Sequence, residues 1–183
     1  MITSLNDYDV FISGEKVDLV VLDQKCVDVS NWYKWFNDEE TTFDMQKHYF
    51  PNTKAMQLEY FKEHIESDNS KLQLGILEKK DNVLIGIIAL GSIDYHNRKC
   101  EIGGLIGEKA YRSLAYWLEA NKLIINHAFK QLNMLRIYGG TMSYEVMQMY
   151  VKALKFSHEG TLISDVFKNG KHNDVYLVGL LNI

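Results

Sequence analysis

Side chains that could catalyse a reaction are sparse in this sequence, and few have the spacing of a known site. The six histidines show no metal-ligand spacing, so we expect no metal, and no histidine–cysteine or histidine–serine pair can be inferred. Asp94 and His96 fall between two apolar runs, where they could orient a substrate or take up a proton. A solvent-exposed turn residue is the alternative for His96. The function therefore has to be inferred from the fold that positions these side chains.

The two cysteines, Cys26 and Cys100, lie far apart and form no C-x-x-C pattern. This spacing argues against a disulfide framework and against a structural zinc site. We expect two reduced thiols in the core or at its edge, which is typical of a cytoplasmic protein.

Composition excludes several classes of protein. The 183 residues (21.2 kDa) suffice for one domain with its own core, which we expect to span residues 1–183. With 46% hydrophobic and 24% charged residues, the chain is typical of globular proteins. The net charge of −4 argues against binding to nucleic acid. The sequence has no signal-like start and no run of about 20 apolar residues, so we expect no membrane partner.

Hydrophobic periodicity predicts alternating strands and helices. Strands are predicted over residues 16–22, 72–78, 83–93, 99–106, 135–142, 157–167 and 173–181. Helices are predicted over residues 29–36, with Asp28 as a cap, and over residues 54–66, 112–132 and 145–154. A polar loop of about 15 residues, which contains Pro51, joins the first two helices. Loops of this length are often functional.

The order of these elements predicts an α+β fold. The three strands between residues 72 and 106 form an antiparallel meander. The helix over 112–132 then connects strand 99–106 to strand 135–142 in a right-handed, parallel unit. We expect a mixed, mostly antiparallel sheet with helices on both faces.

This arrangement resembles the GCN5-related N-acetyltransferase (GNAT) superfamily, and the local sequence agrees. The segment CEIGGLIGEKAYRSLAYWLEANKLIINHAFKQLNMLRIYGGT resembles the central motif of the branch that includes ribosomal-protein-alanine and spermidine acetyltransferases. Two later segments, YVKALKFSHEGTL and VFKNGKHNDVYLVGLL, resemble the end of the same branch. The resemblance covers residues 16–182. It implies a splayed parallel strand pair, acetyl-CoA as co-substrate and a primary amine as acceptor.

The resemblance also assigns residues to acetyl-CoA. The pantetheine arm pairs with the strand backbone freed by the splay, at Leu105, Ile106 and Gly107. The pyrophosphate lies on backbone amides at the start of the following helix. The residues that match this second segment are Arg112, Ser113, Leu114, Ala115, Tyr116 and Trp117. Gly103, Gly104, Gly139 and Gly140 lie on the same pair of strands.

Two residues match the family's catalytic groups. Tyr150 matches a tyrosine proposed as the general acid for the thiolate, with packing against the sheet as the alternative. Glu101 matches a glutamate that could take the amine proton through water, with a solvated strand position as the alternative. Trp35 and Asn37 fall in the region that shapes the acceptor pocket in this family, and we assign Asp94 and His96 to the same pocket.

Several positions depart from the family pattern. Ala115 and Trp117 replace small phosphate-loop residues, Tyr144 replaces a frequent asparagine, and Lys155 replaces a glycine. The indole of Trp117 could turn into the core or cover the pyrophosphate site. Two hypotheses follow: an active N-acetyltransferase, or a catalytically impaired member that binds a ligand or partner. For the active enzyme, the segment WFNDEETT resembles a subgroup found with surface-sugar biosynthesis, which makes a nucleotide-linked amino sugar the first candidate acceptor, followed by a polyamine or a protein amino terminus. The sequence does not determine the oligomeric state, and a homodimer is one possibility.

Overall fold

The computed structural model describes residues 8–66, 68 and 70–183. Eight strands form one sheet in the order β1-β2-β3-β4-β5-β6-β8-β7. The strands are β1 (Val10–Ser13), β2 (Val17–Val21), β3 (Leu72–Glu78), β4 (Val83–Asp94), β5 (Lys99–Ile106), β6 (Arg136–Thr141), β7 (Ser157–Lys168) and β8 (Lys171–Leu181). All neighbouring strands are antiparallel except β5 and β6, so the expected mixed sheet is confirmed.

Five α-helices cover the two faces of this sheet. They are α1 (Gln24–Val29), α2 (Trp32–Trp35), α3 (Lys54–Phe61), α4 (Leu114–Lys130) and α5 (Tyr144–Leu154). A π-helical turn at Lys62–Glu66 extends α3, and a 3-10 turn at Lys109–Tyr111 precedes α4. One buried cluster includes residues of α4 and α5, and a second includes Trp32, Trp35 and Phe61 from α2 and α3. Each face of the sheet therefore has its own apolar core.

The parallel pair β5–β6 is short. It pairs Lys99 with Arg136, Cys100 with Ile137 and Glu101 with Tyr138, and the pairing ends there. Beyond that point β5 stays paired with β4 on its other edge as far as Ile106. The backbone groups of β5 that face β6 are consequently without strand partners over Ile102–Ile106. This is the splay that the family resemblance implies.

Some predicted elements were wrong in detail. The helix expected over 29–36 is helical only at α2, Trp32–Trp35, and the preceding helix α1 was not predicted. Asp23, not Asp28, acts as a cap: it caps α1 by accepting from the Cys26 amide at 2.9 Å. Asp28 lies inside α1. Strand β1 was not predicted, because four residues carry too weak a pattern. The helix expected over 54–66 is α-helical only as far as Phe61.

Candidate active site

The splay opens a cavity between β5 and β6, which we call the central chamber. Its volume is about 280 Å³, and its walls include Gly103 and Gly104 of β5, Gly139 and Gly140 of β6, and Tyr150 of α5. Residues 44–47 cover it. These residues belong to the long segment 38–52, which we call the roof loop. The glycines keep this part of the groove free of side chains.

A second cavity, the α4 chamber, runs from the central chamber to the start of α4. It has a volume of about 390 Å³. The expected acetyl-CoA residues among its walls are Leu105, Ile106, Arg112, Ser113, Leu114 and Trp117. Ser113 caps the helix by accepting from the Tyr116 amide at 3.3 Å. The amides of Leu114 and Ala115 have no partner within the helix, so they can bind an anion.

Arg112 links this chamber to the roof loop. Its Nη1 lies 2.6 Å from Glu40 Oε1, and its Nη2 donates to Thr41 Oγ1 at 2.6 Å. Lys109 Nζ lies 2.8 Å from both a Glu40 and an Asp38 carboxylate oxygen. The hydrogen bond from Lys109 holds the pKa of Asp38 well below its ordinary value. Two cations and two carboxylates thus tie the roof loop to the start of α4.

Trp117 does not block the helix terminus. Its partly buried indole packs on the core and meets the Tyr150 ring edge to face at 5.0 Å between centroids. The indole therefore forms a side wall of the α4 chamber, which Leu114 at the helix start also lines. Of the two rotamers expected for this residue, the structure contains the one that turns inward.

Tyr150 lies between the central and α4 chambers and lines both. It is 9% exposed, and its hydroxyl donates to Asn121 Oδ1 at 3.4 Å. Burial raises its pKa above the ordinary phenol value. The hydroxyl therefore stays protonated over the ordinary pH range, as a proton donor must.

A third cavity, the α3 chamber, lies between α3, the roof loop and the sheet. Its volume is about 470 Å³. Its polar lining residues are Lys47, His48, Asn52, Gln57, Tyr60 and Gln73, and its apolar ones include Phe36, Phe50 and Met56. No aspartate or glutamate among the described residues lines it. Gly104 and Met45 line all three chambers, which makes them one continuous groove.

Glu101 lies beside this groove and lines none of its chambers. Side chains alternate along a strand, so Glu101 is on the same face of β5 as Gly103 and Leu105, which line the α3 chamber. Its exposed carboxylate accepts from Ser92 Oγ at 3.3 Å. This places a carboxylate next to the α3 chamber, at the point where β5 still pairs with β6.

Other expected site residues lie away from the chambers. Asp94 accepts from the Asn97 amide at 2.8 Å and from its side chain at 2.7 Å within the β4–β5 turn, and His96 is exposed on the same turn. Trp35 is 3% exposed and donates through Nε1 to Glu108 Oε1 at 3.0 Å. Neither the turn nor Trp35 contributes to a chamber wall.

Gly107 packs against Trp35 instead of the groove. A Cβ on Gly107 would lie 2.1 Å from the indole, and the Gly107 amide donates to Ile85 O at 2.8 Å. That amide is therefore not free for pantetheine. Ala115 and Tyr116 also lie outside the chamber walls, although the Ala115 amide remains available at the helix start.

Asn37 fastens the base of the roof loop. Its side chain donates to Asn52 O and accepts from the Asn52 amide, both at 2.6 Å. Its role in this structure is to close the loop on itself, and it lines none of the three chambers. The roof-loop residues Met45, Lys47 and His48, which do line chambers, were missed in the sequence. The length of the polar loop was the one signal that pointed to them.

The remaining departures leave the groove open. Tyr144 packs its ring against Tyr176 at 5.6 Å between centroids. Lys155 ends α5 in the left-handed conformation, with φ 65° and ψ 22°. This conformation costs an L-residue about 1–2 kcal/mol, which is why glycine is common there. Neither side chain lines one of the three chambers.

Two further features concern metal binding and membrane spans. In the part of the chain that the structure describes, no group of three or more histidine, cysteine, aspartate or glutamate side chains is arranged to hold a metal ion. No helix over the same residues is long and apolar enough to cross a membrane.

Comparison with known proteins gives matches in sequence and in fold. The family model described as "Acetyltransferase (GNAT) domain" matches residues 19–144. A Bacillus subtilis (strain 168) protein named "Probable N-acetyltransferase YjcK" is 28% identical over 123 residues, or 67% of each chain. The spermidine N-acetyltransferase from Vibrio cholerae, solved with CoA and spermine, has a TM-score of 0.81 at 20% identity, over 92% of this chain and 96% of that one. The ribosomal-protein acetyltransferase RimL, solved with coenzyme A, has a TM-score of 0.81 at 11% identity, over 94% and 98% of the two chains.

Proposed function

The chain belongs to the acetyltransferase (GNAT) domain family of acyltransferases, and on this premise we propose that it acetylates the primary amine of a nucleotide-linked amino sugar. The observation that carries the proposal is the continuous groove. It runs from the start of α4, through the splay of β5 and β6, to the α3 chamber. A two-substrate transfer needs such a path, because both reactants must meet in line at one point.

The α4 end of the groove suits acetyl-CoA. Three groups meet there: the backbone amides at the start of α4, the guanidinium of Arg112, and the β5 backbone at Leu105 and Ile106, which does not pair with β6. Amides at a helix start and a nearby cation bind phosphates, and a free strand edge pairs with an amide-bearing chain such as pantetheine. Bound acetyl-CoA supplies the activated acetyl group as a thioester.

Two residues carry the proposed proton transfers. A bond forms between the amine nitrogen and the acetyl carbon, and the bond from that carbon to sulfur breaks. Glu101 takes the amine proton through water and returns it to solvent. Tyr150 donates its hydroxyl proton to the departing thiolate and regains one from solvent. A backbone amide near Leu105 stabilises the developing oxyanion.

The α3 chamber supports the choice of acceptor. Lys47 brings an ammonium to its wall, His48 adds a ring that can form hydrogen bonds, and Phe36, Phe50 and Tyr60 provide aromatic surfaces. A polyamine such as spermidine needs carboxylates to pair with its remaining ammonium groups. A nucleotide-linked sugar offers a diphosphate to the Lys47 ammonium and a base to the aromatic rings. The charge of this chamber therefore favours the sugar nucleotide over the polyamine.

Calorimetry and a thiol-release assay test the proposal in two stages. We expect the purified chain to bind acetyl-CoA and to release CoA when an amine is added. UDP-glucosamine, spermidine and a peptide with a free amino terminus serve as probes of the three acceptor classes. UDP-glucosamine is expected to give the highest kcat/KM of the three.

The outcomes separate the donor from the acceptor. Absence of acetyl-CoA binding at millimolar concentration would overturn the proposed acetyl transfer. Binding with preferred turnover of spermidine or the peptide would leave acetyl transfer in place and refute the sugar-nucleotide assignment. Binding without turnover of any amine would favour the catalytically impaired alternative.

A further inference from the structure

Lys168, at the end of β7, makes an unusual contact with the roof loop. Its side chain is almost fully buried, with 7% of the residue exposed. Its Nζ donates to the backbone carbonyl oxygens of Thr42 at 3.0 Å, of Met45 at 2.7 Å and of Lys47. An ammonium has three donors and no acceptor, so these three carbonyls satisfy it completely. The loop backbone is thus folded around one charge.

The surroundings make this arrangement specific. The Tyr49 ring centroid lies 5.2 Å from Nζ, and the three acceptors of Nζ are backbone carbonyls instead of carboxylates. Burying an ammonium is costly unless its hydrogen bonds are all made, so the loop must keep these carbonyls in place. Asn173 holds the tip of the hairpin by donating to the Lys168 carbonyl at 3.1 Å. The anchor is therefore itself fixed to the sheet.

The segment that Lys168 anchors, residues 42–47, includes residues that line the groove. Met45 lines all three chambers, and Lys47 lines the central and α3 chambers. The other contacts of the loop lie elsewhere: Arg112 and Lys109 hold Asp38, Glu40 and Thr41 near α4, and Asn37 closes the base. Over residues 42–47, Lys168 provides the side-chain contacts that reach from the sheet to the loop backbone.

We infer that Lys168 is a positioning residue for the acceptor amine. It touches no substrate, and it acts by fixing the roof-loop backbone so that Met45 and Lys47 form their walls of the groove. Because the α4 end of the loop has its own ion pairs, loss of Lys168 should disturb the α3 chamber more than the α4 chamber. The kinetic part of this inference rests on the proposed acetyl transfer, and the structural part does not.

The test compares Lys168→Met with Lys171→Met, which removes an exposed lysine directly after the same hairpin turn. We expect Lys168→Met to raise KM for the amine about tenfold, because the loop backbone loses the charged hydrogen bonds that fix it. KM for acetyl-CoA should change less than threefold, and Lys171→Met should resemble the wild type. Lys168→Arg keeps a cation with several donors and should recover part of the loss.

A second readout needs no activity. Trypsin cleaves after lysine, and Lys47 lies in the anchored segment. Cleavage after Lys47 in the folded protein should be at least about tenfold faster in Lys168→Met, because loop opening becomes easier. Equal cleavage rates and equal KM values in the two methionine variants would overturn the inference. A wild type without acetyl transfer would instead refute the proposed function, and the cleavage rates would still decide the role of Lys168.

Discussion

Arg112 and Glu40 form a hydrogen-bonded ion pair across 72 positions of sequence, with 2.6 Å between Nη1 and Oε1. Lys109 binds the other carboxylate oxygen of Glu40 at 2.8 Å. Both cations lie beside the start of α4, where the proposed pyrophosphate would bind. In the free protein a carboxylate therefore occupies the cations that an anionic co-substrate needs. Glu40 and acetyl-CoA should compete for them.

Glu40→Gln should strengthen acetyl-CoA binding. The change removes the Glu40 charge from the wall of the α4 chamber, so Arg112 and Lys109 are less neutralised. Lys109 keeps its contact with Asp38, and Arg112 keeps its contact with Thr41. Exposed ion pairs are weak, so we expect a decrease of roughly two- to fivefold in the dissociation constant, largest at low salt. Calorimetry at two ionic strengths measures it. Glu59→Gln, the same change at an exposed position of α3, is the control. Weaker binding of acetyl-CoA by Glu40→Gln would contradict the competition.

Tyr150→Phe tests the general acid. The variant keeps the ring that packs on Trp117 and loses the hydroxyl, so it should fold normally. If Tyr150 protonates the thiolate, kcat should fall roughly a hundredfold while KM for acetyl-CoA changes little. Steady-state kinetics of thiol release measure both constants. Tyr111→Phe, which loses a hydroxyl bound to Asp81 at 2.9 Å, is the matched control. Unchanged kcat in Tyr150→Phe would leave Tyr150 as a packing residue.

The pH dependence gives a separate test of the same residue. Burial disfavours the phenolate, so the pKa of Tyr150 lies above its ordinary value of 10.0. A general acid acts in its protonated form, and activity that depends on Tyr150 is therefore lost only as pH rises through this raised pKa. We expect no loss of kcat from this group below about pH 10. A basic limb near pH 8 that disappears in Tyr150→Phe would contradict the burial of the hydroxyl.

The two thiols should be inert in the folded protein. Cys26 and Cys100 are both 0% exposed, and burial raises their pKa values to about 12 and about 11. Thiolates are the reactive form, so Ellman's reagent should detect no protein thiol at pH 8 in native protein and two after denaturation. Fast reaction in the native state would show that a core opens readily. The same inertness keeps protein thiols from interfering with the CoA-release assay.

Local pattern predicted much of the sheet. Strand β5 has the bounds expected from its turn and its apolar alternation, and α4 lies within the expected range. The prediction missed α1 because it assigned Asp28 as the cap of a later helix, whereas Asp28 lies inside α1 and Asp23 caps it. An aspartate can cap a helix or lie within one, and the contact that distinguishes the two is visible only in three dimensions. The splay of β5 and β6 was predicted from the family resemblance and not from hydrophobic periodicity.

The candidate site was less predictable, because its walls come from distant parts of the chain. Lys168 meets the roof loop across more than 120 positions, and no local pattern encodes such a contact. Trp35 has the same spacing from Trp32 whether it binds a substrate or packs in a core, and here it packs against Gly107. The sequence likewise allowed the Trp117 indole to face the core or the pyrophosphate site, and its contact with Tyr150 is visible only in the structure.

Gly103→Val should narrow the acceptor part of the groove without harming the fold. A Cβ on Gly103 meets nothing within 4 Å, whereas one on Gly104 would lie 2.7 Å from Ile87 O, so Gly103 is the one of these two neighbours that has room for a side chain. Gly103 lines the central and α3 chambers and is not among the α4 chamber's walls. We expect kcat/KM for the amine to fall at least about tenfold, with acetyl-CoA binding nearly unchanged. Gly160→Val in β7, where a Cβ also meets nothing within 4 Å, controls for adding valine to a strand. Equal kcat/KM in the two variants would mean that the amine does not pass Gly103, and the acceptor would have to enter from another side.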